Sequence, residues 1–292
     1  MNSRVLGKII RRSLIAWFKD EAASMGAAIA FYTLFSIAPI LLLVIWMASS
    51  FFAPDAVQSH VLAQAQLALG DTGAAAVRTI LISTRNAVTH GYSKALSVAA
   101  LLIGATSVFA ELQNSLNRIW RTPRHEGHRG IWQALRDRLL SFGLVLCVGF
   151  LLLVSLIVSA SLEAFNSWLG SVIADWQAVA LTLDIILGFV VTTVLFAMIY
   201  KYVPREKITW ADVWVGALVT ASLFTVGKFI IVVYFGRVAV ASAYGVAGSF
   251  LVLMLWVYYS AQVFLLGAEF TYSYAYENGS RTGLDEQRML RI

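Results

Sequence analysis

Apolar runs of about the length that crosses a lipid bilayer recur along this chain, and no other feature restricts its fold as much. In hydrocarbon every backbone donor and acceptor must be satisfied within the protein, so a spanning segment is either a helix or a strand of a closed barrel. Runs of about 20 residues fit helices, whereas barrel strands need only about half that length. The runs fall at 26–52, 95–117, 139–163, 178–202, 212–235 and 249–273 and predict an all-α, polytopic bundle of six transmembrane helices forming one integral membrane domain over 1–292. Composition agrees, with 59% hydrophobic and 13% charged residues against an apolar share of about 45–50% in soluble domains.

Basic residues gather on one side of this arrangement. Arg4, Lys8, Arg11, Arg12 and Lys19, the arginines of the 118–138 loop, Lys201, Arg205, Lys207, Arg281, Arg288 and Arg291 share a face, against Arg78, Arg85, Lys94 and Arg237 on the other. The positive-inside rule then places both termini, including the 277–292 tail, in the cytoplasm of a multi-pass membrane protein. The net charge of +6 is accounted for by these topology signals, without a nucleic-acid partner. Residues 1–24 place Leu6, Ile9, Ile10, Ser13, Leu14 and Trp17 at helical spacing, an amphipathic helix suited either to the headgroup layer or to the protein's own cytoplasmic surface. Residues 53–94 are too polar to cross and too rich in Ala, Val and Leu for disorder. They are expected to form an external helical hairpin split by the turn signal GDTG at 70–73, serving as a cap over an external mouth or as a docked structural element.

Ionisable residues inside spans are the candidate functional groups, since each costs about 2.5–3.5 kcal/mol at mid-bilayer and needs a partner or a wet cavity. Asp184 and Lys228 lie at similar depth in spans joined by the short PREKITW connection and are expected to pair, for structure or for transport. A second group is expected near the cytoplasmic face. Glu111, Asn114 and Arg118 recur along one face of ELQNSLNRIW, with Glu269 at matching depth in the last span; the alternative is that Arg118 and Glu269 snorkel to the headgroups. In the first span, Pro39 interrupts the hydrogen-bond ladder, with Ser36 and Thr33 placed to return hydroxyls to nearby carbonyls. Pro39 and Ser36 are therefore candidate hinge residues, weighed against a kink used only for packing.

Enzymatic signatures are missing from the sequence. His60, His90, His125 and His128 make no metal-ligand motif, and no GxSxG, Walker A or GxGxxG pattern stands in a suitable setting. No catalytic residue, metal site or cofactor is expected. With the single cysteine Cys147 no intrachain disulfide can form.

The segments AAIAFYTLFSIAPILLL, ELQNSLNRIW, YVPREKITWADVWVGAL and YGVAGSFLVLMLWVYYSAQVFLLGAEF, in that order, resemble the YihY/BrkB family of bacterial inner-membrane proteins. The resemblance covers nearly the whole chain and implies a six-span bundle. Some members carry the label ribonuclease BN, which this sequence does not support because it lacks a metal-ligand cluster for cutting RNA. Other members are linked to serum resistance and to envelope lipid handling. Taken with the polar groups at two depths, the resemblance implies a transporter or translocator of lipid or small solutes that works among membrane lipids. The competing reading is a non-transporting envelope scaffold. Oligomeric state is not legible in the sequence.

Overall fold

The computed structural model describes residues 3–48, 53–87, 107–122, 176–237 and 246–282. Every regular element among them is helical: α1 (Ser3–Lys19), α2 (Ala22–Ala48), α3 (Pro54–Ala87), α4 (107–119), α5 (Trp176–Tyr202), α6 (Trp210–Arg237) and α7 (Val246–Glu277). Among the described residues three stretches are long and apolar enough to cross a membrane: Ile185–Tyr202, Trp210–Lys228 and Phe250–Glu277. These correspond to the last three expected spans. The first expected span is represented by α2, and only the end of the second by α4; the third, 139–163, lies outside the described residues, as do the tail beyond 282 and Cys147.

α7 is the spine of the bundle, packing against α1, α2, α3 and α6, while α5 completes the group through α6. Its 32 residues span about 48 Å at 1.5 Å per residue. Apolar packing between helices gives little net gain when lipid is equally apolar, so contact depends on close backbone approach and on polar links. Both operate between α6 and α7. Each helix carries a Gly-x-x-x-Thr sequence, Gly216 with Thr220 and Gly267 with Thr271. The pairs interlock: a Cβ on Gly216 would lie 1.8 Å from Thr271 Oγ1, and one on Gly267 would lie 1.9 Å from Thr220 Oγ1. Each threonine hydroxyl donates back to the carbonyl of its own glycine at 2.7 Å. Tyr200 of α5, itself fully buried, donates its hydroxyl to the Phe264 carbonyl at 2.7 Å and lies 3.0 Å from Thr220 Oγ1, joining three helices at one point.

The boundaries follow from local chemistry. Pro204 bars its predecessor from helical geometry, and α5 stops at Tyr202. α6 opens with Thr209 and Asp212 linked side chain to side chain, the threonine hydroxyl donating to the carboxylate at 2.7 Å. That carboxylate also accepts from the Ser280 hydroxyl at 2.5 Å, so the start of α6 is fastened to the end of α7.

One expectation for the connection after the first span requires correction. The GDTG sequence does not break the chain: α3 continues as one helix of 34 residues through Gly70 and Gly73. The helix is docked on its neighbours, one of the two readings weighed for this segment. Ala76, Val77 and Leu81 pack with Ala30 of α2 and Leu253 and Val257 of α7 in one apolar cluster. A glycine within a helix costs only about 1 kcal/mol relative to alanine, which packing along a long neighbouring helix can outweigh. α2 likewise continues through Pro39, from Ala22 to Ala48.

Candidate functional site

The largest concentration of buried polar chemistry lies where α1 turns into α2, α4 ends and α7 approaches its C-terminus. Two sharp chain reversals build it. Arg121 adopts φ 52° one residue beyond the last turn of α4, in a C-terminal cap where the Thr122 amide donates to Asn117 and the Arg121 amide to Arg118. This is the Schellman arrangement, whose left-handed position usually takes glycine. Glu21, at φ 55°, occupies a similar left-handed junction between α1 and α2. The reversals bring Asp20 and Arg121 together, with Arg121 Nη2 3.7 Å from Asp20 Oδ2.

Glu269 of α7 faces this pair. It is fully buried, and the charged groups acting on its carboxyl are Asp20 and Arg121. Neither Glu269 Oε1 nor Oε2 has a hydrogen-bond partner among the described residues, and the same holds for Asp20 Oδ2, Arg121 Nε, Trp17 Nε1, Thr122 Oγ1, Ser115 Oγ and Ser273 Oγ. Trp17 lies one turn before Asp20, and Ser273 one turn after Glu269. Around them Leu116, Ile119, Trp120 and Tyr272 form a tight apolar wall, and the Arg121 guanidinium sits 5.6 Å from the Tyr272 ring centre. Buried polar groups are normally hydrogen-bonded, so so many unpartnered atoms in one region mark a site with chemistry left to satisfy.

A ring of polar contacts encloses it. Glu277 at the end of α7 accepts from Lys8 at 2.8 Å and Arg12 at 2.5 Å, holding α1 across α7. Ser13 of α1 donates to the Glu269 carbonyl at 3.5 Å. Gln113 and Asn117 of α4 bind the backbone of the α5–α6 connection at Val203 and Arg205. Arg281 reaches Glu206 at 3.2 Å and lies over the Trp120 ring. Burial works against the charge of Arg281, but the Tyr276 hydroxyl and the Glu206 carboxylate outweigh it and hold the guanidinium above its usual range.

The residues singled out in the sequence are distributed as follows. Glu269 is at the centre of the site, while Glu111 is half-buried on α4. Asn114 is exposed, and Arg118 turns outward to Glu21 at 3.4 Å. The charged groups that act on Glu269 are therefore Asp20 and Arg121, which the sequence reading missed; a turn of helix separates Arg118 from Arg121, and no glycine marks the left-handed cap that reorients the latter. Lys228 is half-buried on α6, and α5 packs against α6, but the Asp184 side chain lies outside the described residues. In α2 the hydroxyls of Thr33 and Ser36 donate to Ile29 at 2.7 Å and Tyr32 at 2.8 Å. The Pro39 side chain lies outside the described residues, as do those of the four histidines.

Comparison with known proteins follows the same outline. The family model described as "Virulence factor BrkB" matches residues 16–290. A UPF0761 membrane protein of Psychromonas ingrahamii is 26% identical over 272 residues, covering 88% of this chain and 85% of its own. One from Vibrio vulnificus strain YJ016 is 27% identical over 269 residues, covering 89% and 80%. No solved structure matches this chain.

Proposed function

This chain belongs to the BrkB virulence-factor family of membrane proteins, and from that premise we propose that it is an inner-membrane translocator of lipid or small solutes, with both termini in the cytoplasm. One observation carries the reading: a fully buried carboxyl, Glu269, stands inside an apolar span with both oxygens unpartnered among the described residues, and the Asp20–Arg121 pair acts on it. Intramembrane ionisable groups are costly, and a chain that keeps one without closing its hydrogen bonds retains it for something other than packing. Glu111 beside this region, and Asp184 with Lys228 elsewhere in the bundle, are proposed to extend the polar route. The chain shows no nucleotide-binding motif, so the driving force would be an ion or substrate gradient, or a partner protein.

A second reading, an envelope scaffold, is favoured by the Tyr200–Thr220–Phe264 junction and the Glu277 clasp, which knit helices as a static structure would. Flux separates the two. Purified protein in proteoliposomes is expected to move labelled lipid or small solutes, with Glu269→Gln lowering the rate at least tenfold and Asp184→Asn or Glu111→Gln lowering it less. If neither lipid nor solute moves with the wild type, the translocator reading fails and the scaffold stands.

A further inference from the structure

We propose that the outward face of α1 binds an acidic phospholipid of the leaflet at the N-terminal end of the bundle, its phosphate on Arg4 and Arg11 and its chains along Leu14, Ile15 and Phe18. The site lies on the side of α1 away from Glu269 and holds whether or not the molecule moves a solute. Helical geometry makes the face continuous. Arg4, Arg11 and Phe18 recur every seven residues, close to two full turns. Leu14 and Ile15 stand three and four residues beyond Arg11, the spacing at which side chains on one helix face are neighbours. The opposite face, with Ile9, Ser13 and Ala16, is buried against the bundle. Phe18 keeps 74% and Ile15 55% of its surface open, and Leu14 is exposed too. Arg4 and Arg11 are exposed, and neither has a hydrogen bond or ion pair among the described residues. One stripe therefore runs from open cations to open apolar side chains.

Contacts with α7 set the depth of each end. Lys8 and Arg12 hold Glu277, Ser13 donates to the Glu269 carbonyl, and just past α1 the Ala22 carbonyl accepts from Gln262 at 3.3 Å. α1 thus runs antiparallel to the last turns of α7, with Phe18 at the level of 262–269 and Arg4 one turn past the Lys8–Glu277 pair. The apolar stretch Phe250–Glu277 has 28 residues and is about 42 Å long at 1.5 Å per residue, whereas the hydrocarbon core is about 30 Å thick. Its Glu277 end carries the ion pairs and belongs among the headgroups. Arg4 and Arg11 then stand at phosphate level, and Phe18, about 10 Å further along the helix than Arg11, stands among acyl chains.

Charge selects the lipid. α1 holds five basic residues and no acidic one, and Glu277 is taken by Lys8 and Arg12. A zwitterionic headgroup brings its own cation to its phosphate, whereas an acidic one leaves the phosphate to the arginines. A second copy docked symmetrically on this face would instead set like charges against each other.

Native mass spectrometry of the full-length protein in detergent, titrated with phosphatidylglycerol, phosphatidylcholine or inorganic phosphate, tests the site. Each Lys or Arg at an acidic lipid surface is worth about fivefold in binding, so phosphatidylglycerol should bind roughly tenfold or more tighter than phosphatidylcholine, and Arg4→Gln with Arg11→Gln should weaken it about 20-fold. Ile15→Ser with Phe18→Ser should weaken it as well. All four positions are exposed, so these variants are expected to keep the wild-type unfolding temperature. Equal binding of the two lipids, or a phosphatidylglycerol preference retained by the arginine variant, would overturn the proposal. Inorganic phosphate that competes as well as the lipid would leave a bare anion site and overturn the lipid. A wild-type dimer that Phe18→Ser dissolves would give the face to a second copy, again overturning it. Spin labels at Arg4 and Phe18, in a Cys147-free background in phosphatidylglycerol vesicles, read depth without reference to affinity. Oxygen, which concentrates in hydrocarbon, should relax the label at Phe18, and a water-soluble nickel chelate the label at Arg4. A label at Phe18 reached by the chelate and not by oxygen would place this face in water and refute the proposal.

Discussion

At the scale of the residue, the site depends on two left-handed backbone positions, Glu21 and Arg121. A left-handed residue with a Cβ costs roughly 1–2 kcal/mol, and Arg121 holds that conformation at φ 52°. Strain kept at a position of this kind is commonly tied to function, and here it is what swings the guanidinium from the outer surface, where Arg118 points, to Asp20. The strain and the charge can be separated. Arg121→Gly and Arg121→Ala both remove the guanidinium, but only glycine relieves the backbone, so the glycine variant should be more stable by roughly 1 kcal/mol. Chemical or thermal unfolding in detergent reads this difference, and an alanine variant equal to or above glycine would refute the cap. Glu269 itself could be singled out from sequence because an acid inside an apolar run is conspicuous. Asp20 and Arg121 were hidden because they lie among other charges at segment ends, and only the left-handed turns at Glu21 and Arg121 decide which of those charges face inward.

At the scale of the element, hydropathy identifies helices that face lipid but says less about amphipathic ones. The last three expected spans coincide with α5, α6 and α7 because each holds its apolar character over its whole length. α3 went the other way: glycine spacing suggested a turn, whereas contacts with α2 and α7 sustain a continuous helix. Spin labels at the exposed positions Asp55 and Ile82 distinguish the two forms by distance. A continuous helix separates them by about 40 Å at 1.5 Å per residue, while a hairpin turning at 70–73 would bring them to roughly 10 Å, the spacing of packed helices. Double electron–electron resonance in a Cys147-free background should return the longer value. α1 resolves differently again. Ile9, Ser13 and Ala16 are buried against the bundle while Ile10, Leu14, Ile15 and Phe18 are exposed, so one helix carries both a protein-docking face and an open apolar face. The sequence reading had posed these as alternatives, since periodicity shows that a helix has an apolar face without showing how wide the part is that a partner covers.

At the scale of the whole molecule, polar clasps around one end of α7 bind the N-terminus, the α4 cap and the α5–α6 connection to a common centre. Glu277 is the outermost of them. Its pair with Lys8 is largely solvent-exposed and adds little, while Arg12 is better shielded, so Glu277→Gln should cost roughly 1–2 kcal/mol. The loss should appear as faster amide hydrogen exchange along α1 with α6 and α7 unaffected; unchanged exchange in α1 would mean the apolar face alone holds it. The membrane class, the helical fold and the placement of Glu269 in an apolar span were determined by the sequence, because bilayer length and the cost of buried charge act on contiguous residues. The charged surroundings of Glu269, the interlocked Gly-x-x-x-Thr pairs and the continuity of α3 were decided by tertiary structure. Each depends on which faces of distant helices meet, and that choice is made by close packing and hydrogen bonding between segments up to 269 residues apart, not by the local pattern of either segment.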